Sequence, residues 1–203
     1  MEVLIGAINE ESTSASKLSE TFVRSVTTCA GCGHRSPVMS THRILWGSPK
    51  QSLTEIVEDL TAEELLEGNA QYNCPECMGN QNAVRRSEFA GVPLMLTIAL
   101  RRITPSLAQQ GVYVRDRQRI ECWSPAEVLI KPESGAPEYT VRYEPTAIIH
   151  HEGTRERGHY YAHIKRQDSW YKCDDKEVNP STMHARGSHS AYMILCRRVE
   201  AQP

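Results

Sequence analysis

The distribution of apolar residues predicts short helices in the first part of the chain. Apolar side chains at residues 3–8 lie at helical spacing and predict a short amphipathic helix. β-Branched residues at positions 21–28 favour a strand. Residues 52–55 and 61–64 both show the Ser/Thr-x-x-Glu pattern of a capping box before apolar positions, so two further helices are expected there.

The second part of the chain has the pattern of strands. Residues 92–103 form an apolar run that ends in charge, which is typical of a buried strand. Residues 139–151 are rich in β-formers, and residues 191–196 form a last apolar strand. A charged segment at 152–158 is predicted to be a mobile loop. This order of helices followed by a mainly antiparallel sheet indicates an α+β fold.

A hairpin is predicted over residues 158–175. Positions 160–164 and 170–173 are rich in β-formers, and residues 167–169 have turn chemistry. Antiparallel pairing would bring His159 close to Asp174 and Asp175. A carboxylate beside an imidazole can fix its tautomer and stabilise its charged form, as in a catalytic pair. These residues alone leave open a histidine at a strand end beside acids that only solvate a turn.

Composition limits the function classes. The 203 residues include 23 Lys and Arg and 25 Asp and Glu, and the net charge of −2 argues against a nucleic-acid partner. Basic runs at 101–102, 115–119 and 197–198 are interpreted as solvated faces or strand edges. No apolar segment is long enough to span a bilayer, so no membrane partner is expected. The first residues lack the basic region of a secretory signal, which favours an intracellular location in cytoplasm or nucleus.

The cysteines provide a candidate metal site. Seven cysteines in a reducing compartment more often bind metal than form disulfides. Cys29 and Cys32 form one Cys-x-x-Cys pair, and Cys74 and Cys77 form another. Four thiolates would complete the tetrahedral site that structural zinc prefers, with four free thiols as the alternative. The other three cysteines, at positions 122, 173 and 196, are interpreted as small buried residues and not as nucleophiles.

Several motifs together resemble the ubiquitin-specific proteases, which are papain-like cysteine deubiquitinases. Residues 63–77 resemble the family's helix leading into its second zinc knuckle, and residues 92–103 resemble its Leu-Pro…Leu-Lys-Arg-Phe strand. Residues 143–153 are similar to its Tyr…Ala-Val-x-x-His-x-Gly run. The Gly-His-Tyr at 158–160 and the Trp-Tyr-Lys-Cys-Asp-Asp at 170–175 resemble its histidine box. Ile103, Cys173 and Pro145 depart from the residues usual in that family.

The resemblance implies roles for individual residues. His159 would be the general base, Asp174 would orient it, and Asp175 could assist. Gly158 and Tyr160 would line the channel for the ubiquitin C-terminal tail. The four paired cysteines would hold a structural zinc ion.

The resemblance also implies a domain organisation and a function. Residues 1–203 would be part of a catalytic domain, with zinc-binding fingers at about 20–90 and a palm with the histidine box at about 91–203, lacking most of the thumb. The family's nucleophile lies in an N-terminal Asn-, Gly- and Cys-rich box that these residues do not show. The chain is therefore expected to be the C-terminal portion of a deubiquitinase that hydrolyses the isopeptide bond after the last glycine of ubiquitin. A non-catalytic ubiquitin-binding module is the alternative, and a zinc-ribbon nucleic-acid binder is disfavoured.

Overall fold

The computed structural model describes residues 18–132, 136–181 and 187–199, so the helix predicted at 3–8 lies outside the described residues. Within these ranges the chain forms one α-helix, α1 (Leu53–Leu60), a 3₁₀ turn (Gly68–Ala70) and sixteen strands. The strands are β1 (Thr21–Cys29), β2 (Arg35–His42), β3 (Leu45–Gly47), β4 (Glu64–Leu66), β5 (Tyr72–Cys74), β6 (Gly79–Gln81), β7 (Ala83–Gly91), β8 (Met95–Leu100), β9 (Ile103–Pro105), β10 (Tyr113–Arg115), β11 (Ala126–Ile130), β12 (Tyr139–Gly153), β13 (Gly158–Arg166), β14 (Ser169–Asp174), β15 (Glu177–Ser181) and β16 (Ala191–Val199).

Twelve of these strands belong to one sheet. Its main path runs β15-β14-β13-β12-β11-β7-β1-β2, and β16 pairs with both β12 and β8. Most neighbours are antiparallel, as predicted, while β3–β8 and β11–β7 pair in parallel. The strands predicted at 21–28, 139–151 and 191–196 are confirmed. The division into fingers and palm near residue 90 stays a prediction. The sheet includes strands from both sides of this position, and Phe89 of β7 pairs with Ile130 of β11.

One of the two predicted capping boxes begins a helix. Ser52 caps α1 by accepting a hydrogen bond from the Glu55 backbone N–H, and Leu53, Ile56 and Val57 are its buried face. The second box does not: Glu64–Leu66 is strand β4, paired with β7. The helix predicted there is wrong because pairing with an open strand edge and burial of Leu66 outweigh the local capping pattern.

The helix α1 packs closely against strand β3 at Gly47. A Cβ atom on Gly47 would lie 2.6 Å from the Ile56 Cγ2 atom, so only glycine allows this close approach of β3 to the helix. The apolar side of α1 joins a core that also contains Ile98, Val128 and Ile194, all fully buried.

The predicted strand at 92–103 is shorter than expected and its end is buried. Strand β8 ends at Leu100, and Ile103 begins a separate two-stranded hairpin, β9–β10. Arg101 is exposed, whereas Arg102 is only 1% exposed, so the interpretation of this basic pair as a solvated face is wrong for Arg102. Its guanidinium donates to the carbonyls of four other residues, which no local pattern would predict. These are Asp116, Gln118, Ser188 and Ala191.

Candidate active site and metal-binding cluster

The hairpin β13–β14 is confirmed and brings the predicted acid–base pair together. Arg166 pairs with Ser169, so Gln167 and Asp168 form a two-residue turn, with Gln167 in the left-handed region at φ 52°. At the open end of the hairpin, the His159 Nε2 atom lies 2.5 Å from the Asp174 Oδ1 atom. A carboxylate only accepts hydrogen bonds, so Nε2 carries the proton and donates it. The lone pair of a neutral His159 is then on Nδ1.

The carboxylate of Asp174 has a second partner. The Lys172 ammonium lies 2.7 Å from Asp174 Oδ2, on the other oxygen from His159. These contacts, first with Lys172 and then with His159, hold the pKa of Asp174 below its usual range. Asp174 also raises the pKa of Lys172. Asp174 is therefore ionised at neutral pH.

Asp175 lies at the turn into β15. It adopts φ 51°, and its carboxylate lies within 4.8 Å of the ligand atoms of His159 and Asp174. The contact with the His159 imidazole is made by Asp174. The roles of Asp174 as orienter and of Asp175 as a residue that could assist stay predictions.

Gly158 and Tyr160 lie on the face of β13 opposite His159, because side chains alternate along a strand. A Cβ atom on Gly158 would lie 2.0 Å from the Nε2 atom of His151, so the buried His151 ring requires glycine here. Tyr160 stacks on the same His151 ring at 4.5 Å and remains 51% exposed. Their role as a channel for the ubiquitin tail stays a prediction.

The predicted mobile loop at 152–158 is smaller than expected. Strands β12 and β13 continue to the pair Gly153–Gly158, which leaves a four-residue turn closed by hydrogen bonds between Thr154 and Arg157. Arg115, from β10, donates to the backbone carbonyls of His151 and Gly153. The turn before His159 is thus tied to a distant hairpin.

A buried aromatic and hydroxyl network supports the hairpin beneath His159, and the sequence reasoning missed it. The Tyr161 ring stacks on His150 at 4.6 Å with an interplanar angle of 5°. His150 contacts His163 through Nε2 at 2.9 Å and the hydroxyls of Ser188 and Ser190 through Nδ1. Burial, followed by the charge of His163, lowers the pKa of His150 to about 3. Alternation within the two strands was the only available signal, and it does not reveal partners from a segment near residue 190.

The three cysteines outside the paired set do not form a thiolate site with His159. Cys122 and Cys196 are fully buried, and burial raises the pKa of both thiols to about 12. Cys173 pairs with Ala162 and Val178, so its side chain lies on the strand face opposite Asp174. Cys173 is only half-buried, which is less than predicted.

The other four cysteines converge from two turns. Cys29 and Cys32 lie at the β1–β2 turn, where Gly33 at φ 74° donates its N–H to the Cys29 carbonyl. Cys74 ends β5 and Cys77 lies in the turn before β6. All four Sγ atoms lie within 4.8 Å of one another, with 3.9 Å for Cys29–Cys77 and 3.6 Å for Cys32–Cys74. Sulfurs bound tetrahedrally at about 2.3 Å from zinc would be about 3.8 Å apart.

The thiols of this cluster interact strongly. The Cys32 backbone N–H lowers the pKa of Cys29 to about 7. By contrast, the neighbouring thiol of Cys32 contributes most to raising the pKa of Cys77 to about 12. Four thiolates this close would repel one another, and a divalent cation would remove that repulsion. The cluster could therefore bind a metal ion, consistent with a zinc-ribbon insert in this part of the sheet.

Comparison with known proteins agrees with this fold and site. The family model for ubiquitin carboxyl-terminal hydrolase matches residues 5–195. One solved structure that matches is the SAGA Ubp8/Sgf11/Sus1/Sgf73 deubiquitinating module bound to ubiquitin aldehyde. The match covers 92% of this chain and 42% of the matched chain, with a TM-score of 0.72 and 21% sequence identity. A yeast SAGA deubiquitinating module with a mutant Sgf73 gives 0.73 at 24% identity, with the same coverage. The fold is that of the ubiquitin-specific proteases.

Two relatives with more than 30% sequence identity show the family of this chain. It is 33% identical over 165 residues to ubiquitin carboxyl-terminal hydrolase 48 of Danio rerio, covering 75% of this chain and 15% of the relative. It is 32% identical over 157 residues to ubiquitin carboxyl-terminal hydrolase 19 of Arabidopsis thaliana, covering 75% and 22%. The chain belongs to the ubiquitin carboxyl-terminal hydrolase family, as a ubiquitin-specific protease member, and spans less than a quarter of either relative. No helix in the described residues is long and apolar enough to cross a membrane.

Proposed function

We propose that this chain is the base-bearing and zinc-bearing portion of a cysteine-type deubiquitinase. The complete enzyme would hydrolyse the isopeptide bond after the C-terminal glycine of ubiquitin, and ubiquitin and ubiquitinated proteins would be its partners. The observation that carries this proposal is the 2.5 Å contact between His159 Nε2 and Asp174 Oδ1. It directs the imidazole so that Nδ1, on an exposed side chain, can receive the proton of a thiol.

Each residue of the pair has a separate task. His159 would take the proton of the attacking thiol and return it to the leaving lysine amine as the covalent thioester forms. Asp174 would hold the imidazole in one tautomer and stabilise its charged form, without itself transferring the proton. Water would then hydrolyse the thioester with His159 again as base. Gly158 and Tyr160 would contact the extended tail of ubiquitin at the same strand end.

The attacking cysteine is not among the seven of this chain in the proposed mechanism. Four thiols belong to the metal-binding cluster, and the remaining three are buried or lie on the opposite strand face. A cysteine-containing segment of the family type would supply it. The same observation favours the second candidate function, in which this chain by itself binds ubiquitin without cleaving it.

The test of catalysis uses a chimaera in which a family-type Asn-, Gly- and Cys-rich segment precedes this chain. We expect hydrolysis of a ubiquitin–fluorophore conjugate, with a loss of about 10³-fold or more in His159→Ala and a smaller loss in Asp174→Ala. Asp175→Ala is measured in parallel and should cost less than Asp174→Ala. Comparable loss at Asp175 with none at Asp174 would identify a different orienting acid. A folded chimaera with no hydrolysis would contradict the proposed function.

The second candidate is tested with this chain alone. An electrophilic ubiquitin probe should not label it, because no activated thiolate lies at the imidazole. Ubiquitin should still bind weakly, which NMR titration of labelled ubiquitin can measure. An adduct on Cys173 that His159→Ala abolishes would show an alternative nucleophile and overturn this assignment.

We also propose that the ion bound by the four cysteines is zinc, held as a structural and not a catalytic ion. Four protein ligands leave no position for water or substrate, so zinc would hold the two turns together and take no part in hydrolysis. Purified protein should contain about one zinc per chain, and Cys74→Ser should lose it. Cys173→Ser is the matched control and should keep the metal. Unchanged zinc in Cys74→Ser would refute the site.

A further inference from the structure

We infer that Lys172 is a positioning residue for the acid–base pair, acting on His159 through the carboxylate of Asp174. This inference rests on the proposed function, since it assigns a residue to the same reaction. Its basis is the way the two carboxylate oxygens are divided. Oδ1 of Asp174 accepts from His159 at 2.5 Å and Oδ2 accepts from Lys172 at 2.7 Å.

The strand places Lys172 on the required side. Lys172 and Asp174 are two positions apart in β14, so both side chains lie on one face of the strand. His159 and Tyr161 lie on the same face of the paired strand β13, where His163 is directly opposite Lys172. The side chains of Lys172, Asp174 and His159 therefore meet at the strand end, because side chains alternate regularly along an antiparallel pair.

A second contact fixes the ammonium. Lys172 Nζ lies 4.5 Å from the centre of the Tyr161 ring, in a cation–π geometry. The Tyr161 ring is also stacked on the buried His150, and its hydroxyl contacts Ser190 Oγ and Glu152 Oε1, each at 3.2 Å. A lysine side chain ordinarily loses considerable rotamer freedom when it is held in one place. Here the Tyr161 ring, itself held by His150 and by its hydroxyl contacts, helps to keep the Lys172 ammonium in one place.

The charges around Lys172 favour this arrangement. Asp174 faces it from its own strand, and His159 and Tyr161 face it from β13. Glu152 on β12 adds a more distant negative charge that, after Asp174 and Tyr161, helps to raise the pKa of Lys172. The ammonium thus stays protonated at neutral pH. For Asp174, the contact with Lys172 ranks above that with His159 in lowering the pKa of the carboxyl group.

Lys172 would affect catalysis by limiting the rotation of the Asp174 carboxylate. The terminal torsion of aspartate is broad, so a carboxylate held at one oxygen can rotate and offer either oxygen to water. Lys172 occupies Oδ2 and leaves only Oδ1 for His159. The imidazole is then held in one orientation with Nδ1 directed to the thiol, instead of sampling several orientations.

The first arm of the test uses the 203-residue chain and requires no catalysis. Lys172→Met should raise the pKa of the Asp174 carboxyl, measured by ¹³C NMR titration, toward its ordinary value. Lys172→Arg should leave that pKa close to wild type. Lys165→Met is the matched control, because Lys165 is on the same hairpin and pairs instead with Glu144. An unchanged Asp174 titration in Lys172→Met would overturn the inference and leave the proposed function standing.

The second arm is a double-mutant cycle in the chimaera. Lys172→Met should lower kcat/KM by about 2- to 5-fold, a range typical of an ion pair at a partly exposed site, mostly through kcat. In the Asp174→Ala background the same substitution should have little effect. An equal loss in both backgrounds would show that Lys172 does not act through Asp174.

Discussion

Replacement of Arg102 should destabilise the fold far more than replacement of its neighbour. Its guanidinium is buried and donates to four carbonyls, those of Asp116, Gln118, Ser188 and Ala191. Hydrogen bonds to a charged group contribute about 2 kcal/mol each. Burial opposes this, since it lowers the pKa of Arg102 from 12.5 to about 10, a cost of about 3 kcal/mol. The balance is about 4–5 kcal/mol, in the range found when a buried charged partner is removed.

Urea unfolding followed by tryptophan fluorescence measures this loss. Arg102→Met should lower the free energy of unfolding by at least about 3 kcal/mol, because the four carbonyls also lose their partners. Arg102→Lys should be intermediate, since a lysine presents one point of charge and cannot reach all four carbonyls. The matched control is Arg101→Met, which removes the same charge from an exposed position and should change stability by less than about 0.5 kcal/mol.

A small effect would refute the reasoning. If Arg102→Met costs less than about 1 kcal/mol, then the four carbonyls are satisfied by water or by a rearranged backbone. If Arg102→Met does not fold, the Arg102→Lys variant still tests the ranking against Arg101→Met. Equal stability of the lysine variant and the wild type would contradict the claim that the several N–H donors of the guanidinium stabilise the fold.

Two further outcomes are expected. Gly158→Ala should destabilise the hairpin and reduce turnover of the chimaera, because the added Cβ atom would overlap the His151 ring. Gly79→Ala is the control and should be tolerated, since its Cβ atom would meet no atom closer than 4.0 Å. Equal effects of the two substitutions would refute the steric argument. For His150, burial lowers the pKa to about 3 from 6.5, so below pH 6.5 the unfolded chain binds the extra proton. Stability should therefore fall with falling pH, by up to about 1.4 kcal/mol per unit. His150→Gln should reduce this slope between pH 6.5 and about 3 in urea titrations, and an unchanged slope would contradict the assignment.

Local pattern was sufficient where neighbours in sequence form the structure. The hairpin β13–β14 followed from β-formers on both sides of a turn, and antiparallel pairing alone placed His159 near Asp174. The two cysteine pairs could also be recognised from the sequence, because each Cys-x-x-Cys spans one tight turn. In both cases the decisive geometry is set by a few adjacent residues, and strand alternation or turn length carries it reliably.

Tertiary structure decided what depends on distant segments. The pattern at 61–64 favoured a helix, but pairing with β7 made residues 64–66 a strand, since backbone hydrogen bonds and burial outweigh a cap. Arg102 appeared to be one of two solvated arginines, and only its carbonyl partners near residues 116–118 and 188–191 explain its burial. The restraint of Lys172 by Tyr161 and His150 likewise required three strands in register. Local sequence does not encode these contacts, because each joins groups that only the folded sheet brings within hydrogen-bonding or stacking distance.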